Sequence, residues 1–341
     1  MDITELLKQL TAPAGVSGLE TGAAAVAEKL LSPYVDSTET DRRGNVVGTI
    51  NGAGPKILLD AHLDQVGFIV TALSERGFVK FDRCGGTDPR VMSGLPVIIL
   101  GKEPVYGIIS SVPPHLQGDD DEGKVKEAKD LAIDTGLEKE KLERLVSQGD
   151  RICFVPQFDK LLGDELCSNS FDDRAGIAIL IRTLEILKEK GVRPNLTVVF
   201  SAQEEVGGNA VGCAAFKADV DMAIAVDVSF AFTPGCKPEE TGKIGKGPMI
   251  GISPCLDNGI FEDLKRIAAE KSIPYQTEVM NRTTGTHADD ILVTRAGVRT
   301  GLVSLPLKYM HTPVEVIDTK DVELCAQLIA AFIEEKGGET K

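Results

Sequence analysis

The sequence predicts an α/β fold: a mixed, largely covered sheet with helices on both faces, interrupted by a small inserted β-rich, barrel-like domain. Three observations lead there. After residue 165 apolar strands alternate with helices; an apolar run of strand length, PKILLDAHLD, already stands near the N-terminus; and between residues 67 and 165 the texture changes to short strands separated by turn residues. Because α/β texture lies on both sides of that stretch, the predicted division is discontinuous, with residues 1–66 and 166–341 forming one unit and 67–165 inserted into it.

Residues 1 to 33 read as two helices, the second being LETGAAAVAEKLL, followed by an extended region, STETDRRGNVVGTING, and then the PKILLDAHLD strand. GFIVTALSERGFVKF and LPVIILGKEPVYGIISS supply the short strands of the inserted unit. The charged stretch HLQGDDDEGKVKEAKD, beginning at His115, is expected to be a mobile loop. DLAIDTGLEKEKLERL gives a strand and a helix, and GDRICFVPQF a strand. The long helix RAGIAILIRTLEILKEKG repeats apolar residues at Ile177, Ile181, Leu184 and Leu187 and stops at Lys188, Lys190 and Gly191. Beyond it NLTVVFSA, DMAIAVDVS and VRTGLVSLPL read as strands, and GGNAVGCAAFKA, GIFEDLKRIAAEKS and TKDVELCAQLIAAFIEEK as helices.

Composition narrows the function classes. With 341 residues and 42% of them hydrophobic, the chain can build a large core. Its 52 acidic against 37 basic residues, without a basic run, disfavour binding to a nucleic-acid backbone. MDITELLKQLTAPAG lacks the basic start and apolar core of a signal peptide, and no apolar run reaches membrane-spanning length, so a cytoplasmic, membrane-free protein is expected. Seven scattered cysteines without a C-x-x-C spacing argue against a disulfide framework or a thiolate zinc cluster.

In open α/β sheets ligands gather beyond the carboxyl ends of strands. There the sequence places His62 and Asp64 after KILLDA, Asp172 and Asp173 before the long helix, Glu204 and Glu205 after VVFSAQ, Asp227 in AIAVDVS and His311 after SLPLKYM. Each has a plainer reading: polar turn residues, helix caps, a core histidine. Together they form an oxygen and nitrogen donor set of the kind zinc, cobalt or manganese takes. The adjacent pair Glu204 and Glu205 suits such a centre, because one carboxylate can ligate while its neighbour stays free as a base.

AHLDQVG, FDDRAG, SAQEEVGG, VDVS, GKIGKGP, TGTHADD and KYMHTPVEV, in this order, resemble the M42 metallo-aminopeptidases, the tetrahedral and glutamyl aminopeptidase group of the di-zinc exopeptidase clan. The resemblance covers nearly the whole chain. It implies two divalent ions per subunit, zinc or cobalt before manganese, one held by His62 and Asp227, the other by Glu205 and His311, with Asp172 bridging. A cis peptide between Asp172 and Asp173 is also implied. Glu204 would be the general base for attack of a metal-bound water on the N-terminal peptide bond of short peptides, and Asp64 would orient His62. Homododecameric, tetrahedral assembly is implied as well, with the inserted domain serving assembly and access. Gln65 and His287 depart from the family pattern, where Glu and Asp are frequent, and His115 in PPHL is expected to be structural.

Two other functions compete. Some relatives carry an endoglucanase label, and glycosidases also use carboxylate pairs. Those carboxylates stand on opposite sides of a sugar, however, and this chain has no Trp and four Tyr to stack against one. The second competitor is a non-catalytic peptide- or partner-binding protein on the same scaffold.

Overall fold

The computed structural model describes residues 2–116 and 124–340. Among the described residues its main sheet has nine strands. At its centre Val192–Ser201, Ala53–His62, Met222–Phe230 and Arg299–Leu307 run parallel to one another. Val46–Ile50 extends the sheet antiparallel on one side, followed by Ser37–Thr40, and Met249–Ile252 and Gln276–Val279 extend it on the other.

Strand periodicity explains why both faces are covered. Ile57, Leu59 and Ala61 belong to one apolar cluster, with the helices Ile3–Thr11, Phe171–Glu189 and Thr319–Gly337. Leu58, between them, faces the opposite side and packs with Val211 and Ala214 of Ala210–Ala218 and with Ile291 of Ala288–Leu292. A period of two therefore splits one continuous apolar run into two buried faces.

Gly67–Leu73, Phe78–Cys84, Ile133–Asp134, Pro104–Ile109, Pro96–Leu100 and Arg151–Phe154 close into an antiparallel barrel with its own core. Phe68 centres that core, meeting Phe81 edge-on at 5.1 Å and Phe154 at 5.7 Å between ring centroids. The chain then returns: Phe158–Lys160 pairs with Glu165–Ser168, which pairs with Glu315–Asp318. The architecture is thus the covered α/β sheet with a barrel that the sequence predicts. Unanticipated elements include Glu165–Ser168, Met249–Ile252, Gln276–Val279, Glu315–Asp318 and Ala288–Leu292, each too short to carry a periodic signal. Of the expected mobile loop, residues 117–123 lie outside the described residues; Pro114–Leu116 and Ala128–Asp130 on its flanks are 3-10 turns.

Candidate active site

The central strands deliver their polar ends to one place. His62 closes Ala53–His62, Asp227 sits in Met222–Phe230, and Asp172 opens the helix Phe171–Glu189. Glu204 and Glu205 lie in a 3-10 turn, Glu204–Val206, after Val192–Ser201, and so are freed from the opposed directions of a strand. Ser170, Gln203 and His311 have φ of 67°, 63° and 62°. Left-handed backbone costs a non-glycine residue roughly 1–2 kcal/mol, and here it sits where the chain turns to present a site side chain.

Asp172 is the hub. Its Oδ1 lies 3.0 Å from His62 Nε2 and its Oδ2 3.3 Å from His311 Nε2. Glu205 Oε2 is 3.3 Å from the same His311 nitrogen, and Asp227 Oδ1 is 3.9 Å from His62 Nε2. Ligand atoms of His62, Asp172 and Glu205 fall within 4.8 Å of one another, as do those of His62, Asp173 and Asp227. Asp173 enters this geometry although the sequence marks it only as a helix-start residue. Its carboxylate accepts from the backbone N–H groups of His62 at 3.2 Å and Gly176 at 3.0 Å. The Asp172–Asp173 peptide is cis.

Three residues support the cluster, and the sequence marks only Asp64 among them. Asp64 approaches His62 as expected, its carbonyl 3.1 Å and its Oδ1 3.4 Å from Nδ1. Yet its carboxylate mainly holds the glutamate turn, accepting from Glu204 N–H at 3.0 Å, Glu205 N–H at 3.2 Å and Ser17 Oγ at 2.6 Å. Glu315, buried, accepts from the N–H groups of Asp172 at 3.2 Å and His311 at 3.1 Å. The carbonyl of Gly86, just past a barrel strand, lies 3.1 Å from His311 Nδ1. A Cβ at Gly86 would fall 2.6 Å from that nitrogen, so this approach requires glycine.

This donor set fits divalent cations. Both histidines turn Nδ1 to a backbone carbonyl, which fixes the N–H there and aims the Nε2 lone pair into the cluster. Glu205 Oε1 is buried without a hydrogen-bond partner. Burial pushes the carboxyls of Glu205, Asp173 and Asp227 well above their usual range, and repulsion from nearby carboxylates adds to it. Glu204 is raised for the same first reason. Burial works on Asp172 too, but hydrogen bonds from His311 and His62 outweigh it and hold this carboxyl well below the usual range. So many acids in one dry site call for positive charge among them.

A family model described as M42 glutamyl aminopeptidase matches residues 44–328. The chain belongs to the M42 peptidase family. It is therefore an aminopeptidase of a family that works with divalent metals. A lysyl aminopeptidase of Pyrococcus furiosus is 30% identical, over 97% of this chain and 96% of its own length. Among solved structures, a TET aminopeptidase from the marine sediment archaeon Thaumarchaeota archaeon SCGC AB-539-E09 is 32% identical with a TM-score of 0.91, covering 97% of this chain and 95% of the other. A TET1 peptidase of Pyrococcus horikoshii, which can assemble into a tetrahedron or a large octahedral shell, is 29% identical with a TM-score of 0.85 and coverages of 97% and 99%.

In this M42 chain the cluster opens into a cleft of about 810 Å3, lined among others by Glu204, His287, Glu278, Met249 and Leu302. His287 is buried, its Nδ1 3.1 Å from Asp60 Oδ2 and 2.8 Å from Ser201 Oγ, while its Nε2 has no partner. Gln65 lies elsewhere: its Oε1 is 3.5 Å from Nη2 of the buried Arg174, which ties Leu10 and Leu63 together through their carbonyls. Burial draws the Arg174 guanidinium down to about 10, against the opposing attraction of the Asp64 and Glu20 carboxylates. His115 is exposed in its 3-10 turn, away from the cleft.

Proposed function

We propose that this M42 aminopeptidase uses two divalent ions, zinc or cobalt before manganese, held by His62, Asp227, Glu205 and His311 with Asp172 between them, to release N-terminal residues from short peptides. The reading is supported above all by Asp172, whose two oxygens face Nε2 atoms of two different histidines. Such ions, when bound, polarise the scissile carbonyl and acidify water. Glu204 takes the proton from the attacking water and returns it to the departing amine. Its backbone is pinned by Asp64, and burial raises its carboxyl above the ordinary value, which favours taking up the proton it must then return. Asp64 and Glu315 fix the peptide groups that carry the ligands, so these side chains need little reorganisation when substrate arrives.

Homo-oligomeric assembly, as in the tetrahedron of the Pyrococcus horikoshii relative, belongs to the same proposal, with the barrel serving contacts and access. Among the described residues no helix is long and apolar enough to cross a membrane. All seven cysteines are free, which suits a reducing, cytoplasmic setting. The pair Glu204 and Glu205 weighs against sugar hydrolysis, since the two share one turn instead of flanking a substrate.

The deciding experiment strips the protein of metal, restores zinc, cobalt or manganese, and follows release of N-terminal residues by wild type and Glu204→Gln. Metal-dependent stepwise release, lost in a variant that still binds metal, is expected. Two bound ions with no release from any peptide would sink the catalytic reading and leave a peptide-binding protein.

A further inference from the structure

Beyond the cluster the cleft continues along the strands Met222–Phe230 and Arg299–Leu307 to the edge strand Gln276–Val279. There Glu278 projects a half-buried carboxylate into the cleft wall. One oxygen accepts from Ser229 Oγ, the other from Ser304 Oγ at 2.7 Å. Among the described residues no lysine, arginine or histidine pairs with it, and no lysine or arginine lines the cleft at all. Burial raises the carboxyl, and the two hydroxyls that donate to it favour the ionised form without supplying charge. A carboxylate drawn out of water without a counter-ion is costly unless something brings one.

Its position says what. Ser304 pairs in register with Asp227, and Ser229 lies two residues beyond Asp227 on the same face. The Glu278 carboxylate therefore lies between the level of Asp227 and a level two residues, roughly 7 Å, further along the strand, within the reach of a long unbranched side chain. The way there is lined by Met249, Met280 and Leu302. Apolar walls with an anion at the end match a side chain that has a methylene stem and a charged head.

We propose that Glu278 determines specificity by receiving the cationic side chain of an N-terminal lysine or arginine. The inference rests on the aminopeptidase reading above and goes beyond it, since the family model's glutamyl description would call for a lysine or arginine at the side-chain end of the cleft, and among the described residues none lines it. A glutamyl side chain here meets a like charge; norleucine fills the slot but leaves Glu278 unpaired.

The test compares aminoacyl amides of lysine, arginine, norleucine and glutamate on the metal-loaded wild type, Glu278→Gln and Glu278→Asp, with calorimetry of L-lysine and L-norleucine binding beside the kinetics. Lysyl and arginyl substrates should lead in wild type. Glu278→Gln should lower kcat/KM for them by roughly 10- to 100-fold, the worth of one charge-assisted contact, leave the norleucyl substrate within about threefold, and erase the binding preference for L-lysine. Glu278→Asp, which keeps the charge, should keep the preference in reduced form and shows that the pocket tolerates substitution. A wild type that prefers glutamyl or norleucyl substrates, or a Glu278→Gln loss equal for all four, overturns the proposal and leaves the aminopeptidase reading intact. Release of no residue from any substrate removes that reading, and this inference with it.

Discussion

The two ends of the cleft solve the same problem, a negative charge away from water, at different scales. At one end Asp172, Asp173, Glu205 and Asp227 crowd around two histidines and disturb one another's protonation. At the other Glu278 stands alone between two serine hydroxyls. The number of carboxylates sets the charge that can neutralise them. A crowd of acids suits multivalent ions that stay with the protein, and a single acid suits one monovalent group that arrives and leaves with each turnover.

The comparison can be broken at several points. Chelation should have the largest effect, abolishing release of every N-terminal residue alike and restored by adding back metal; partial survival of one substrate class would show that the ends are not separate in role. Glu204→Gln follows, with a fall in kcat of about 10²- to 10⁴-fold that is independent of the substrate's side chain while metal content is unchanged. A loss confined to lysyl substrates would merge the two ends. Asp64→Asn, which disturbs the grip on the Glu204 and Glu205 N–H groups, should weaken metal affinity or activity by about 10- to 100-fold, read by metal titration and kinetics. Metal at about 100 times its Kd should stabilise the fold by ~2.7 kcal/mol, seen in calorimetry as a rise in Tm, and L-lysine without metal should add far less. The smallest effect concerns pH. Because burial raises the Glu278 carboxyl above its ordinary 4.5, the folded chain holds that proton more tightly than the unfolded one. Its contribution to stability therefore falls as pH climbs above the ordinary value, and Glu278→Gln should show a shallower decline of Tm with pH.

How much of this was legible in sequence depended on whether a residue announced itself by position. His62, Asp172, Glu204, Glu205, Asp227 and His311 stand at strand or helix ends flanked by apolar runs, and the rule that ligands collect at carboxyl ends was enough to group them. Glu315 and Glu278 sit in four-residue strands, EVID and QTEV, where no periodicity can develop. Glu278 also meets its serines across 49 and 26 residues of chain, a pairing that only the folded sheet creates. Asp64 was legible as a neighbour of His62, but its grip on two backbone N–H groups depended on the shape of a turn. Gln65 attracted attention beside Asp64, yet its side chain turns to Arg174, because successive residues after a strand need not share a direction.

The carbonyl of Gly86 ties a peptidase histidine to a segment that leaves the barrel strand Phe78–Cys84. A module with that link cannot be exchanged as an independent cassette. Any chimaera that trades the barrel for another must import a glycine able to reach His311, or graft a replacement acceptor at the same point. The barrel and the sheet thus have separate cores but share this contact at a site histidine.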